Sequence, residues 1–136
     1  MRYIGLDLGE KTLGISVSNG IIATNYKTLR HNLEYERLAN DVKEIVLEEK
    51  IDKIVLGFPK NMNNTIGHRA EITLKFKEKL EKLTGKEVIM EDERLTSKVA
   101  NNFMIKEDLS RKKRKERVDG MASVIILQSY LDRKVN

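Results

Sequence analysis

The stretch MRYIGLDLGEKTLGISVSN, residues Met1–Asn19, predicts two β-strands joined by a short turn and sets the rest of the fold. Alternation along the first strand places Tyr3, Gly5 and Asp7 on one face of a sheet. The other face carries the apolar side chains of Ile4, Leu6 and Leu8. A carboxylate buried without a partner costs several kcal/mol. We therefore expect a cation beside Asp7, unless this residue only ends the strand and caps the turn.

The rest of the chain predicts an α/β fold in one domain, residues 1–136, with the element order β-β-β-α-β-α-β-α-α. The predicted elements after the first hairpin are a strand at Ile21–Leu29, a helix at Leu33–Lys50 capped by Asn32, a strand at Lys53–Gly57, a helix at Gly67–Leu83 ended by Gly85, a strand at Glu87–Met90, a short helix from Thr96 or Ser97 to Lys106, and a buried helix at Val118–Leu131. We expect a five-stranded mixed sheet, three antiparallel strands followed by two parallel ones, with helices on both faces. Its first strand lies at the centre, beside the fourth.

The composition excludes several classes of protein. The chain has no cysteine, so it has neither disulfides nor thiolate metal sites, and its two histidines argue against a histidine-rich zinc site. Its longest apolar run, Val124–Leu127, is far too short to cross a membrane. No leader pattern precedes the first strand. We therefore expect a cytoplasmic protein that does not bind a membrane.

Positive charge is concentrated in the segment RKKRKER, Arg111–Arg117, within a chain of net charge +5. Six cations in seven positions can neutralise several phosphates of a nucleic acid. The alternative is a solvated loop without a partner. We predict that Lys112, Lys113 and Arg114, together with Lys11 in the first turn, bind the substrate.

Carboxylates occur at three places that the predicted topology can bring to one edge of the sheet. They are Asp7 in the first strand, Asp92 and Glu93 at the end of the fifth, and Asp119 in the first turn of the last helix. The alternative for Asp119 is that the helix dipole stabilises an acid in the first turn and that this acid has no function. Such ligands suit Mg²⁺, and two ions about 3.5–4 Å apart can clamp a phosphodiester during hydrolysis. In this arrangement Asp7 bridges two ions, and Glu93 and Asp119 each complete one. Arg94 binds a phosphate oxygen, unless it pairs with a neighbouring acid.

Four segments resemble, in order and spacing, the YqgF (RuvX) family, and together they cover essentially the whole chain. They are GLDLGEK continuing to Ser18, GFPKNM at Gly57–Met62, DERLT at Asp92–Thr96, and VDGMA at Val118–Ala122. The resemblance implies an RNase H-like fold similar to the RuvC resolvases. It also implies an acidic triad of Asp7, Glu93 and Asp119, with Asp92 as the alternative to Glu93, which would bind Mg²⁺ or Mn²⁺. The implied function is a nuclease that matures the 5′ end of the 16S ribosomal RNA precursor, or a Holliday junction resolvase.

The sequence departs from the family pattern at Asn19, Asn64, Ser97 and Ser123, where Asp, Gly, Thr and Ala are common. Two other functions fit the first hairpin: one half of an ATPase or sugar kinase, whose nucleotide cleft needs two such domains, and a non-catalytic module for nucleic-acid binding or ribosome assembly. RNA precursors, branched DNA and ribosomal precursor particles are all candidate partners. A resolvase that cuts two strands needs a homodimer, whereas a nuclease of one strand works as a monomer.

Overall fold

The computed structural model describes residues 1–59, 67–92 and 111–135 of the 136-residue chain, and only the backbone for residues 111–120 and 135. Within these residues the chain forms five strands and three helices. They are β1 (Tyr3–Leu8), β2 (Thr12–Ser18), β3 (Ala23–Arg30), α1 (Tyr35–Glu48), β4 (Lys53–Phe58), α2 (His68–Thr84), β5 (Val88–Asp92) and α3 (Arg111–Val135). The predicted loop after β4 and the predicted short helix before α3 lie largely or wholly outside the described residues.

The strands form one sheet in the order β3-β2-β1-β4-β5, which confirms the predicted mixed sheet with β1 at its centre. β1 pairs antiparallel with β2 and parallel with β4, β2 pairs antiparallel with β3, and β4 pairs parallel with β5. Since β1, β4 and β5 run in the same direction, their carboxyl ends, at Leu8, Phe58 and Asp92, meet at one edge of the sheet. We call this edge the carboxyl edge.

Helices cover both faces of the sheet, as predicted. On one face, α1 and α2 bury an apolar core against β1, β2 and β4; its main members are Ile4, Leu6, Leu13, Ile15, Leu38, Val42, Ile54, Leu56, Phe76 and Leu80. On the other face, α3 packs Ile126, Leu127 and Leu131 against Tyr3 and Val55. Neighbouring residues of β1 thus enter different cores, as the alternation of a strand requires.

The start of α1 corrects one prediction. Asn32 does not cap this helix; the cap position is Glu34, and no side chain caps the free N–H groups. Leu33 has a positive φ of 69°, so the chain turns sharply before the helix begins. The Asn32 backbone N–H donates to Glu34 Oε2 at 2.7 Å, and this bond lowers the pKa of Glu34. The asparagine therefore orders the turn through its backbone and not through its side chain.

The start of α3 corrects a second prediction. The helix begins at Arg111, so the cationic segment is helical and is not a loop before the helix. Asp119 consequently lies in the third turn, where the helix dipole no longer explains an acid, because that effect fades beyond the first turn. The helix is also less buried than predicted: Ser123, Ile126, Leu127 and Leu131 are buried, the other residues from 121 to 130 are half-buried, and residues 132–134 are exposed.

A close approach of α3 to β1 occurs at Gly5. A Cβ atom placed on Gly5 would lie 2.4 Å from Ser16 Oγ, 2.7 Å from Leu127 Cβ and 3.0 Å from Ser123 O. The Ser16 hydroxyl donates to Ser123 O at 2.8 Å, so it cannot turn away without losing a buried bond. The absence of a side chain at position 5 therefore sets the distance between strand and helix.

The buried hydroxyl of Ser123 has no hydrogen-bond partner in the part of the chain that is described. An unsatisfied buried polar group costs about 1–3 kcal/mol, and we expect Ser123→Ala to stabilise the protein by about 1 kcal/mol and to raise Tm by about 3 °C. The matched control is Ser129→Ala, a half-buried serine of the same helix, which gains the same helix propensity. Thermal unfolding followed by circular dichroism measures both. Equal shifts in the two variants would contradict this account.

In the described residues no helix is long and apolar enough to cross a membrane.

Candidate functional site

Asp7 lies next to the last residue of β1, close to the carboxyl edge. It is half-buried, and its strand position places it on the face that α3 covers, with Tyr3 and Gly5. No hydrogen bond or ion pair of its carboxylate is found with the described residues. A half-buried carboxylate without a cationic partner is the kind of ligand that a hard divalent cation prefers.

The helix α3 runs antiparallel to β1, because its later residues contact the start of the strand. Ser123 and Leu127 lie against Gly5, whereas Tyr130 packs on Tyr3 with ring centroids 5.9 Å apart. Lys134 donates a hydrogen bond to the Tyr3 hydroxyl, and this bond raises the pKa of Lys134. The N-terminal half of α3 therefore points toward the carboxyl edge.

Asp119 occupies a position in α3 one turn before Ser123. The four residues from Asp119 to Ser123 advance the helix by about 6 Å. The two residues from Gly5 to Asp7 advance β1 by about 6.6 Å. Positions 7 and 119 thus lie at similar distances from the contact of Gly5 with α3, both on the side of the carboxyl edge. Only the backbone of Asp119 is described, so its role as a ligand stays a prediction.

The end of β5 places two acids, Glu91 and Asp92, on opposite faces of the sheet. Val88 and Met90 belong to the core of α1 and α2, and alternation places Asp92 on that side. Glu91 lies on the other side, 3% exposed, where Arg133 of α3 binds both of its oxygens, Nη2 to Oε2 at 2.8 Å. Sequence analysis missed this pair. Its signal was an acid within an apolar strand and an arginine near the end of an apolar helix.

The remaining predicted site residues are described only in part. Glu93 and Arg94 lie outside the described residues. Lys112, Lys113 and Arg114 lie in the first turn of α3, with the backbone alone described, and Lys11 is exposed in the β1–β2 turn. Among the described side chains, no group of three or more His, Asp or Glu residues is placed to hold a metal ion.

The end of β1 and the β1–β2 turn, which begins two residues after Asp7, are held by three hydrogen bonds from other parts of the chain. Arg69 Nη2 donates to Leu8 O at 3.2 Å, and the backbone N–H of His31 donates to Lys11 O at 2.9 Å. The His31 ring lies 2.9 Å from Gly9 O through Nε2 and accepts the Leu33 N–H at Nδ1 over 3.2 Å. Because Nδ1 accepts, Nε2 carries the proton and donates to Gly9. His31, which sequence analysis did not single out, therefore fixes the turn beside Asp7.

We expect His31→Ala to lower the free energy of unfolding by about 1–2 kcal/mol, because the buried ring is lost together with bonds to two backbone groups. His31 is 7% exposed, whereas His68 is exposed, so His68→Ala is the matched control and should change stability by less than about 0.5 kcal/mol. Urea unfolding measures both variants. A His31→Ala protein as stable as the His68→Ala protein would show that the turn does not depend on this ring.

A cavity of about 350 Å³ opens beside this turn, on the face of the sheet that α1 and α2 cover. Its walls come from the end of β1, the β1–β2 turn, the residues around the start of α1 and the first turns of α2. Leu8, the neighbour of Asp7, is one of the lining residues. The cavity and the candidate carboxylate site therefore share the carboxyl edge but lie on opposite faces.

Comparison with known sequences gives matches over nearly the whole chain. A model of the RuvX family, described as Holliday junction resolvase, matches residues 1–133. A protein of Listeria monocytogenes serotype 4b, named "Putative pre-16S rRNA nuclease", is 48% identical over 135 residues, which are 97% of this chain and 98% of the relative. A protein of Bacillus cytotoxicus with the same name is 48% identical over 137 residues, 98% of this chain and 100% of the relative.

Comparison with solved structures confirms the fold. RuvC of Thermus thermophilus, in complex with a Holliday junction substrate, superposes with a TM-score of 0.59 at 13% identity, over 98% of this chain and 96% of that one. A ROK hexokinase of the same organism gives a TM-score of 0.52 at 24% identity, over 74% of this chain but only 38% of the hexokinase. At these identities the likeness is one of fold.

Proposed function

The chain belongs to the RuvX family, and from this membership we propose that it is a metal-dependent nuclease that trims the 5′ end of the precursor of 16S ribosomal RNA. The observation that carries the proposal is the match of 48% identity with the Listeria relative of that name, over 98% of the relative's length. The family model matches residues 1–133, a range that contains all three predicted acids. We place the activity in the cytoplasm, on precursor RNA alone or within ribosomal precursor particles.

We propose Asp7, Glu93 and Asp119 as the carboxylates that hold the metal. Two points support this choice: Asp7 has no partner of its own among the described residues, and the N-terminal half of α3, which contains position 119, lies toward the carboxyl edge. Oxygen ligands of this kind fit Mg²⁺ or Mn²⁺. When bound, a pair of such ions supplies an acidified water and neutralises charge on the leaving oxygen.

We propose Glu93 rather than Asp92 as the ligand that follows β5. Glu91 lies on the face of α3, with Arg133, and alternation places Asp92 on the opposite face. In an extended chain, residues two positions apart share a face, and this alternation is our ground for proposing Glu93. The Glu91–Arg133 pair joins the end of β5 to α3, and the two proposed ligands beyond Asp7 belong to the residue after β5 and to α3.

We propose that the cationic start of α3 binds the phosphate backbone. Lys112, Lys113 and Arg114 precede Asp119 by five to seven helical positions, or about 8–10 Å of helix. A nucleic-acid strand that reaches the carboxylates therefore also reaches these cations. Lys11 and Arg94 are proposed to bind phosphate oxygens nearer to the reacting bond.

The double change Lys112→Ala with Lys113→Ala should weaken binding to RNA and DNA alike and flatten its dependence on salt. Each lost phosphate contact reduces the slope of log K against log salt by about 0.7–0.9, so we expect a reduction of up to about 1.8. Fluorescence anisotropy with a labelled oligonucleotide between 50 and 300 mM salt, roughly the range over which this effect is large, measures it. The exposed Lys75 of α2 provides the control, Lys75→Ala. An unchanged slope in the double variant would show that this segment is solvated and does not bind phosphates.

Cleavage of a panel of labelled substrates tests the function itself. The panel contains a precursor fragment of 16S ribosomal RNA, unrelated single-stranded RNA and DNA, and a four-way DNA junction, each with Mg²⁺, Mn²⁺ or a chelator. We expect metal-dependent shortening of the precursor fragment. A protein that cleaves none of these with either metal, while it still binds them, would support the non-catalytic alternative.

The second candidate function is resolution of Holliday junctions. It is favoured by the description of the matching family and by the fold shared with RuvC. This function predicts paired cuts in the four-way junction and a homodimer in light scattering, because two strands are cut. Cleavage of the junction by a dimer, without cleavage of the precursor RNA, would decide in its favour.

A further inference from the structure

The cavity beside the β1–β2 turn has the size and lining of a site for one nucleotide. Its volume of about 350 Å³ is at the lower end of the range of roughly 300–1,000 Å³ found for small-ligand pockets. A single base or nucleoside fits such a volume, whereas a longer segment of nucleic acid does not.

The walls of this cavity suit a planar ring. Leu8, Tyr35 and Ile72 provide an apolar lining. The Tyr35 ring contacts two other rings, His31 at 5.6 Å and Phe76 at 6.4 Å between ring centroids, both at tilted or edge-on angles. A ring held in this way offers a fixed aromatic surface on which any base can stack.

The rim of the cavity suits a phosphate. Lys11 and Arg69 line it, and both are exposed. Arg69 Nη2 donates to Leu8 O, which fixes the guanidinium at the rim, and its other donors have no partner among the residues that the structure describes. Glu10 is the acid among the lining residues, so the formal charge of the lining favours an anion.

The cavity lies one residue from the candidate carboxylate site. Leu8 follows Asp7 directly, with a separation of about 3.8 Å between Cα atoms, and their side chains point to opposite faces of the sheet. A strand whose phosphate lies at Asp7 can therefore cross the carboxyl edge and place the adjacent nucleotide in the cavity.

We propose that this cavity binds one unstacked nucleotide of the substrate, the base against Tyr35 and Ile72 and the phosphate at Lys11 and Arg69, next to the bond that is cut. The inference rests on the proposed nuclease function for the identity of the ligand. It makes extrusion of a single base part of recognition, as in other proteins that act on unpaired nucleotides. Substrates with an unpaired nucleotide beside the cleavage site are then preferred to continuous duplexes.

Titration of the ¹⁵N-labelled protein with a nucleoside 5′-monophosphate, followed by NMR, tests the site without cleavage. We expect shifts at the amides of Gly9, Lys11, Leu33 and Ile72, smaller shifts with the nucleoside, and shifts confined to the rim with inorganic phosphate. Ile72→Trp, which fills the cavity, should weaken nucleotide binding by about tenfold or more, the scale of one lost base stack. Lys11→Gln should weaken binding of the nucleotide but not of the nucleoside, and Lys75→Gln should weaken binding of neither.

Shifts that are spread over the surface, or a nucleotide affinity that Ile72→Trp leaves unchanged, would overturn the inference. Binding without chelator-sensitive cleavage of any substrate would retain the nucleotide site and overturn the nuclease function. If Ile72→Trp changes neither nucleotide binding nor the rate of substrate cleavage, the proposed nuclease function stands and the proposed nucleotide site is overturned. Thermal unfolding of Ile72→Trp verifies that the variant is folded; if it is not, Lys11→Gln decides through its contrast between nucleotide and nucleoside.

Discussion

Replacement of Asp7 by Asn is expected to abolish metal-dependent cleavage and to leave nucleic-acid binding intact. The substitution keeps the shape of the side chain and removes its charge, which is the property that a bridging ligand needs. Metal stabilisation of the charge that develops in the reaction is worth several kcal/mol, so the rate should fall by at least about a hundredfold.

The same substitution should leave the fold unchanged. The Asp7 carboxylate has no hydrogen bond or ion pair among the described residues, so Asn removes no contact there that stabilises the native state. We expect Tm to stay the same or to rise, since a half-buried charge is replaced by a neutral group. Loss of activity without loss of stability separates a functional carboxylate from a structural one.

Single-turnover cleavage of the best substrate in the panel, with Mg²⁺ in excess, measures the effect. Asp41→Asn is the matched control, because Asp41 loses only an exposed ion pair with Arg37, at 2.9 Å on α1, which is worth little. Cleavage by Asp7→Asn at the wild-type rate would remove Asp7 from the metal site and with it the proposed mechanism.

Replacement of Gly5 by Ala should destabilise the protein by about 3 kcal/mol, at the upper end of the usual cost of overpacking. The added methyl would lie 2.4 Å from Ser16 Oγ and 2.7 Å from Leu127 Cβ. Neither atom can move freely: Ser16 is bound to Ser123 O, and Leu127 is buried with 0% exposure. The strain is therefore relieved only if α3 moves away from β1.

The shift of α3 should also lower activity, since it separates the helix of Asp119 from the strand of Asp7. Urea unfolding and the cleavage assay, performed below the transition, measure the two effects. Gly85→Ala serves as the comparison, because Gly85 has φ +67° and a Cβ added there would have no atom within 4 Å. This substitution should cost about 1 kcal/mol in backbone strain and leave the site unaffected. A Gly5→Ala protein as stable as Gly85→Ala would show that the contact is not tight.

A second change tests the cause of the strain. Adding Ser16→Ala to Gly5→Ala removes the hydroxyl that lies nearest to the new methyl, and we expect part of the lost stability to return. The recovery is incomplete because the contact with Leu127 Cβ remains.

The sheet was predictable because its pattern is local to each strand. The alternation around Asp7, the short apolar run before Phe58 and the turn at Gly9 specify β1, β2 and β4 without reference to the rest of the chain. The left-handed glycine at the end of α2, Gly85 with φ +67°, ends the helix as predicted.

Other features depend on partners that sequence patterns do not identify. A run of cations favours a solvated loop, so the sequence predicts too late a start for α3, although arginine and lysine have high helix propensity. The side chain of Asn32 suits a helix cap, yet Leu33 has a positive φ, and the helix starts beyond the reach of this side chain. The bonds from His31 to Gly9, 22 positions away, and from Arg133 to Glu91, 42 positions away, exist only in the folded chain.

The contact of α3 with β1 has a consequence for the order in which the molecule folds. Ser16 binds Ser123 over 107 positions, and Lys134 binds Tyr3 over 131, so these contacts close some of the longest loops that the chain can form. Closure of such long loops costs chain entropy, and the contacts that offset this cost form late in folding. The hairpin and the units around β4 can form from nearby segments, whereas we expect positions 7 and 119 to approach each other only when α3 packs on β1, late in folding. In the proposed site, catalytic competence then requires completed folding, and we expect a partly folded chain not to cut nucleic acid.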